Sequence, residues 1–222
     1  MKVTTDSCLF GAWVAEKLAN ENTKDKTVLD IGTGTGLLSL MTAQKTKATI
    51  DAVEIDQNSF QQATENIASS EWPQRIQVFN KDIRTYQPEK KYDYIICNPP
   101  FYENELLSPD KSRNTAHHSS ELRLEELLQI VKKLLTDSGC FFLLLPFKRE
   151  NETGNLFAKN NLTVSQKTLV KQSTHHSYFR IMLQGSFEKC ASTKQSEISI
   201  RDSNGQYTPE FISLLKDYYL YL

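Results

Sequence analysis

The sequence predicts an α/β protein with a doubly wound, mostly parallel sheet of seven strands and an antiparallel edge. Short apolar runs alternate with helical patterns from residue 27 to residue 147, which is typical of right-handed βαβ units. The first run ends in a glycine-rich turn, as the first strand of an open parallel sheet often does. After residue 151, two strand-like runs follow each other without a helical pattern between them, which predicts antiparallel pairing.

Hydrophobic periodicity predicts the strands and helices one after another along the chain. Strands are predicted for five apolar runs, at 27–32, 48–56, 75–82, 92–97 and 140–147. Helices are predicted where apolar residues recur at three or four positions, at 37–45, 57–69 and from Leu124 to Leu135. The remainder is predicted as antiparallel strands at 162–170 and 178–187, a further strand at 196–202 and a closing amphipathic helix at 208–222.

The 222 residues suit a single domain, 1–222, with three parts. A helix is predicted within residues 1–26, ahead of the first strand. Residues 27–147 form the alternating core, and residues 148–222 contain the antiparallel strands and the closing helix.

Composition restricts the possible functions. Lys and Arg number 26 against 27 Asp and Glu, so bulk charge alone would not hold a nucleic acid. The cysteines form no CxxC pair, and we therefore expect neither a metal site nor a disulfide framework; they are Cys8, Cys97, Cys140 and Cys190. The amino-terminal segment lacks the apolar core of a signal peptide, and no run of about 18 apolar residues is present. We expect a cytoplasmic protein without a membrane partner.

The first predicted strand leads into the segment DIGTGTG, residues 30–36. Glycines at this turn, here Gly32, Gly34 and Gly36, let backbone amides approach a ligand at a helix N-terminus. The spacing G-x-G-x-G differs from the dinucleotide pattern G-x-G-x-x-G, and no Walker lysine follows. Asp30 places a carboxylate directly before the loop.

Acidic residues also end the second and third predicted strands. Glu54 stands where a carboxylate can accept hydrogen bonds from both hydroxyls of a ribose. Asp82 stands where a carboxylate can meet the amino group of adenine, and Ile83 beside it offers apolar cover for the ring. Because the carboxyl ends of parallel strands meet at one edge, Asp30, Glu54 and Asp82 are expected to converge.

The segments VLDIGTGTG, VEID and NKDI together resemble the class I S-adenosylmethionine-dependent methyltransferases over residues 27–147. The resemblance implies a Rossmann-like fold and S-adenosyl-L-methionine as cofactor, with S-adenosyl-L-homocysteine as product. It implies that the glycine loop receives the methionine part, that Glu54 and Ile55 belong to the ribose-binding segment, and that Asp82 and Ile83 belong to the adenine-contacting segment.

The fourth predicted strand runs into Asn98, Pro99, Pro100 and Phe101, where the two prolines must end it. This strand is expected beside the first strand, so that Asn98 lies at the cofactor crevice. The Asn98 side-chain oxygen and the Pro99 carbonyl can each accept one N–H of a planar amine and aim its lone pair. Phe101 offers a face on which a flipped-out base can stack.

This turn resembles that of amino methyltransferases acting on adenine N6, cytosine N4 or glutamine N5. The outer segments MKVTTDSCLFGAW, AHHSSELRLEELL and SIRDSNGQYTPEF resemble the bacterial tRNA1(Val) adenine N6-methyltransferase family, which modifies the adenine at position 37. The resemblance implies a tRNA substrate and an opening helix close to the cofactor, with contributions from Thr5 and Asp6. A helix N-cap is the alternative role for Thr5 and Asp6.

Binding of tRNA requires local positive charge, for which the candidates are Lys148, Arg149, Lys171 and Arg180, although solvated surface residues would explain them nearly as well. The long segment 99–120 is predicted to be a lid or a binding loop. Three alternatives stay open: a glutamine N5-methyltransferase of release factors, another nucleic-acid adenine N6-methyltransferase, and a silent cofactor-binding module. We expect a monomer or a weak homodimer.

Overall fold

The computed structural model describes residues 3–99 and 122–222. The first half contains α1 (Thr5–Ala19), β1 (Thr27–Ile31), α2 (Leu37–Lys45), β2 (Thr49–Glu54), α3 (Gln57–Ala68), β3 (Ile76–Asn80) and β4 (Tyr92–Cys97). The second contains α4 (Leu124–Leu134), β5 (Leu135–Pro146), a 3-10 turn (Phe147–Arg149), α5 (Glu150–Lys159), β6 (Thr163–Ser173), β7 (Tyr178–Ser186), β8 (Lys194–Arg201) and α6 (Pro209–Leu215).

Within the two described ranges, eight strands form one sheet in the order β3-β2-β1-β4-β5-β7-β6-β8. Strand β1 lies between β2 and β4 and is parallel to both, so the strand order reverses between β1 and β4. This arrangement confirms the predicted doubly wound, mostly parallel α/β fold and the position of the fourth strand beside the first. The reversal creates a crevice at the carboxyl edge of the sheet.

Two details of the predicted sheet are wrong. All eight predicted strand-like runs enter the described sheet, which therefore has eight strands rather than seven, and its antiparallel strand is not at the edge. Strand β7 runs antiparallel to both of its neighbours, β5 and β6, whereas the outermost strand β8 pairs parallel with β6. The physical reason is that the β6–β7 hairpin leaves the outer side of β6 unpaired, and β8 covers that open edge.

The structure also contains a helix that the sequence did not predict. Helix α5 connects β5 to β6, but only Thr153 and Phe157 of its side chains are buried. Two buried positions do not make a recognisable apolar stripe, and Gly154 further weakens the helical pattern. Conversely, the closing helix is predicted over 208–222, but α6 covers only Pro209–Leu215.

Alternate residues of the central strands enter two separate cores. In β5, Phe142 and Leu144 pack with α1, α2 and α6, whereas Phe141 and Leu143 pack with α4 and α5. Such alternation is expected of a sheet covered on both faces. Among the described residues, no helix is long and apolar enough to cross a membrane. The two helical layers thus leave the carboxyl edge of the sheet as the place for a ligand.

Candidate active site

The glycine loop turns sharply at the end of β1. Gly32, Gly34 and Gly36 have φ angles of 69°, 60° and 86°, a region that residues with a side chain rarely adopt. The amide of Gly32 donates to the carbonyl of Val53 at 2.8 Å, which holds the loop against the end of β2. A methyl group added at Gly32 would meet no atom of the described residues within 4 Å, so this part of the chain leaves the space beside the glycine open.

Asp30 is fully buried beneath the loop. Its Oδ2 accepts hydrogen bonds from the hydroxyls of Thr33 and Ser39, both at 2.7 Å. Its Oδ1 has no partner among the described residues, although it is buried. Burial raises the pKa of Asp30 to about 6 despite the two hydroxyl donors, and the charge of Glu54 adds to the rise. The unpartnered oxygen marks a place where a donor from a ligand would be stabilised.

Replacing Asp30 by asparagine is expected to stabilise the ligand-free protein at pH 7.5. Because the folded pKa of about 6 exceeds the ordinary 3.8, the protonated carboxyl group adds to stability below pH 3.8, and this contribution is lost as the pH rises through 6. The neutral amide of asparagine avoids the free-energy cost of ionising this buried side chain, which is up to about 3 kcal/mol. Thermal unfolding from pH 4 to pH 8 checks this, with the exposed Asp137→Asn as control. An advantage that does not grow with pH would contradict it.

Glu54 links the glycine loop to the end of β2. The side chain is 8% exposed, and its Oε2 accepts from the amide of Gly34 at 2.8 Å. Its Oε1 accepts from the amide of Asp56 at 2.9 Å. Each carboxylate oxygen retains a second lone pair for a ligand hydroxyl. The neighbouring Ile55 is 57% exposed and presents an apolar surface next to this acid.

The third predicted acid, Asp82, forms an ion pair with Arg84. Arg84 donates to both carboxylate oxygens of Asp82, at 3.0 and 2.6 Å. These hydrogen bonds lower the pKa of Asp82 despite its partial burial. The side chain of Ile83 is 9% exposed and packs in the core on the side of α4. The structure therefore places Ile83 mainly inside the protein, and an adenine contact from this side chain stays a prediction.

Asn98 follows β4 directly and lies next to the glycine loop, because Ile31 pairs with Cys97 in the sheet register. Its side chain is half-buried, and Nδ2 donates to the hydroxyl of Ser7 at 2.8 Å. Pro99 is buried. The roles expected for Pro100, Phe101 and the predicted lid up to residue 120 lie outside the described residues.

The first turn of α1 also meets this edge. Thr5 and Asp6 lie inside the helix, and the N-cap is Thr4, so the alternative that Thr5 and Asp6 cap the helix is wrong. Asp6 Oδ2 pairs with Arg180 Nε at 2.8 Å. Burial opposes ionisation of Asp6, but hydrogen bonds from Thr4 and Arg180 outweigh it and lower its pKa.

The four basic candidates lie where β5 and β6 end and β7 begins, at the same edge of the sheet as Asn98. Lys148 is exposed, and Arg149 contacts Glu152 at 3.3 Å. Lys171 lies 3.9 Å from Glu197, and Arg180 pairs with Asp6. The structure thus brings these residues to one edge, where Arg149, Lys171 and Arg180 also contact acids of the chain itself.

Sequence reasoning missed several residues of this site. A buried or partly buried carboxylate requires hydrogen-bond donors, and such donors are often close in the sequence. Three of the missed residues could have been found in this way, because they follow Asp30 or Asp82 within nine positions: Thr33, Ser39 and Arg84. Ser7 has no such signal, since it contacts a residue 91 positions away.

Comparison with known proteins agrees with this geometry. The family model described as "Methyltransferase small domain" matches residues 11–142. A protein of Parabacteroides distasonis, 36% identical with 99% of this chain and 91% of that protein covered, is named tRNA1(Val) (adenine(37)-N6)-methyltransferase. A protein of Trichodesmium erythraeum with the same name is 41% identical, with the same coverage of each chain.

Solved structures share the fold at low sequence identity. A predicted O-methyltransferase of Agrobacterium tumefaciens gives a TM-score of 0.68 at 14% identity and covers 95% of both chains. An S-adenosylmethionine-dependent methyltransferase of Clostridium acetobutylicum gives 0.60 at 14% identity, with 85% of this chain and 94% of that chain covered. With its matching family model and its relatives over nearly the whole length, the chain belongs to the methyltransferase small-domain family and, within it, to the tRNA1(Val) (adenine(37)-N6)-methyltransferases.

Proposed function

We propose that the protein transfers a methyl group from S-adenosylmethionine to the exocyclic N6 of adenine 37 in tRNA1(Val). The observation that carries this proposal is the register of β1 and β4, which pairs Ile31 with Cys97. It brings Asn98, a candidate acceptor for an amine, beside the glycine loop that begins at Gly32. The names of the full-length relatives support adenine in tRNA as the amine.

The site residues fit S-adenosylmethionine. When bound, this cofactor supplies an electrophilic methyl group on a positively charged sulfur. Asp30 has a buried oxygen without a partner in the described part, and the space beside Gly32 is open. Glu54 would accept hydrogen bonds from the ribose hydroxyls with its remaining lone pairs, and the exposed Ile55 would contact the adenine ring.

In this proposal Asn98 and Pro99 prepare the target amine. The lone pair of adenine N6 is delocalised into the ring, which makes it a poor nucleophile. The Asn98 Oδ1 and the Pro99 carbonyl each accept one N–H and hold the nitrogen so that its lone pair points towards the methyl group. The same two acceptors stabilise the positive charge that develops on the nitrogen, and water then removes the proton.

The basic residues at the same edge are proposed to contact tRNA phosphates; they are Lys148, Arg149, Lys171 and Arg180. Their number is small and the net charge of the chain is −1, so binding must combine local charge with recognition of the target base. We propose further that the enzyme acts in the cytoplasm, where tRNA is modified, as a monomer or weak homodimer. Sedimentation equilibrium tests the oligomeric state.

A labelling experiment tests the function. The protein is incubated with methyl-labelled cofactor and either a tRNA1(Val) transcript, the same transcript with guanine at position 37, duplex DNA, or a release factor. Label is expected in the first transcript and not in its position-37 variant. Label confined to the release factor would instead support a glutamine N5-methyltransferase, and label in DNA another adenine methyltransferase. Cofactor binding without any transfer would support a silent binding module.

A further inference from the structure

The first turn of α1 contacts the side chain expected to bind the amine. Ser7 Oγ accepts the Nδ2 hydrogen of Asn98 at 2.8 Å, and the two residues are 91 positions apart. Ser7 Oγ also lies 2.8 Å from the hydroxyl of Thr4. Building on the function proposed above, we propose that Ser7 is a positioning residue that sets the orientation of the Asn98 amide.

Orientation matters because the two ends of an amide have opposite hydrogen-bonding character. The Asn98 oxygen accepts hydrogen bonds, whereas the nitrogen carries two hydrogens and can only donate. If the nitrogen faced the target amine, two donors would oppose each other and the N–H of the substrate would lose its acceptor. With Nδ2 held by Ser7, Oδ1 is the end that remains for the substrate.

The hydroxyl of Ser7 can serve this purpose because of Thr4. A serine hydroxyl has one hydrogen and two lone pairs. The Thr4 hydroxyl donates to the carboxylate of Asp6. Ser7 is therefore left to donate its own hydrogen to Thr4 Oγ1 and keeps its lone pairs for the Asn98 amide. The pair of hydroxyls thereby favours the amide nitrogen, rather than the amide oxygen, on the side of α1.

Ser7 is itself held in a well-packed element. Cys8, Leu9 and Phe10, which follow it, are buried in the core beneath α1. The preceding residue, Asp6, pairs with Arg180 on β7 at 2.8 Å, with 15% and 21% of their side chains exposed. The first turn of α1 is therefore tied to two strands, to β7 through Asp6 and to the end of β4 through Ser7. Such double support keeps a positioning group in place.

Kinetics of Ser7→Ala test the proposal. Loss of one hydrogen bond to an amide is expected to lower kcat for tRNA methylation about tenfold. The Kd of S-adenosylmethionine and the thermal midpoint are expected to stay unchanged, and Ser7→Thr, which keeps the hydroxyl, should recover most of the activity. Ser213→Ala, at an exposed serine of α6, is the matched control. A kcat of Ser7→Ala equal to that of wild type would overturn the proposal.

A double substitution tests whether Ser7 acts through Asn98. Adding Ser7→Ala to Asn98→Ala is expected to lower kcat no further, because the positioned group is already absent. A further tenfold loss in the double variant would mean that Ser7 acts elsewhere, and would also overturn the proposal.

A readout independent of activity separates this proposal from the proposed function. The side-chain amide resonances of Asn98, assigned by their loss in Asn98→Ala, report directly on the hydrogen bond. In the ligand-free protein they are expected to shift and exchange faster in Ser7→Ala but not in Ser213→Ala. Unchanged resonances in Ser7→Ala overturn the role of Ser7 even if the enzyme methylates tRNA. Changed resonances support it even if the substrate is another amine.

Discussion

Asn98→Ala is expected to lower kcat for methylation of tRNA by about 10²- to 10³-fold, the range measured when one preorganised hydrogen-bonding group is removed from a charge-stabilising site. Alanine removes the oxygen that would hold one N–H of the amine and stabilise the positive charge on the nitrogen. The Kd of S-adenosylmethionine is expected to change little, because the glycine loop and Glu54 remain. Steady-state methylation at saturating tRNA and cofactor measures kcat, and calorimetric titration of the cofactor measures the Kd.

The exposed Asn22→Ala is a matched control, because it makes the same chemical change away from the site. Asn98→Asp is an informative second variant, since a carboxylate keeps the acceptor but cannot donate to Ser7. Full turnover in Asn98→Ala together with normal cofactor binding would contradict the amine-binding role of Asn98.

Glu54→Gln is expected to weaken cofactor binding about 10- to 100-fold, because hydrogen bonds to a charged group contribute about 1.5 to 3 kcal/mol. One carboxylate oxygen becomes an NH2 group, which would no longer accept from a ribose hydroxyl and would face the amide of Gly34 or of Asp56 as a donor. Both losses act on the bound cofactor, the second by loosening the glycine loop. Titration of S-adenosylmethionine measures the Kd, and methylation at saturating cofactor measures how much of kcat is retained.

Glu65→Gln makes the same change at an exposed position of α3 and is expected to leave the Kd unaltered. An unchanged Kd in Glu54→Gln would mean that neither a ribose contact nor the support that Glu54 gives the glycine loop contributes to cofactor binding. In that outcome the ribose contact implied by the segment VEID would be wrong for this protein.

Features that are local in the chain were predictable. The glycine loop, the acids near the carboxyl ends of the first three strands and the turn at Asn98 each lie at the end of an apolar run. Parallel strands end at one edge, so these residues converge once the strand order is known. The sequence also predicted that the fourth strand lies beside the first, as the topology of a doubly wound sheet requires.

Other features depended on packing between distant segments. Helix α5 has too few buried residues to show a pattern, and the parallel pairing of β8 depends on the open edge of β6. The burial that raises the pKa of Asp30 is likewise a property of the assembled core, and no count of neighbouring residues in the chain reveals it.

The amino-acid sequence alone was sufficient to predict the class of cofactor and the type of atom to be methylated, because those rest on short segments with the right residues at strand ends. Only the tertiary structure decided how Asn98 is oriented and what supports it. The contacts of Ser7 with Asn98 and of Asp6 with Arg180 join residues 91 and 174 positions apart. Such contacts arise only when α1 packs across the carboxyl edge of the sheet, and this packing cannot be predicted from the local propensities of the residues.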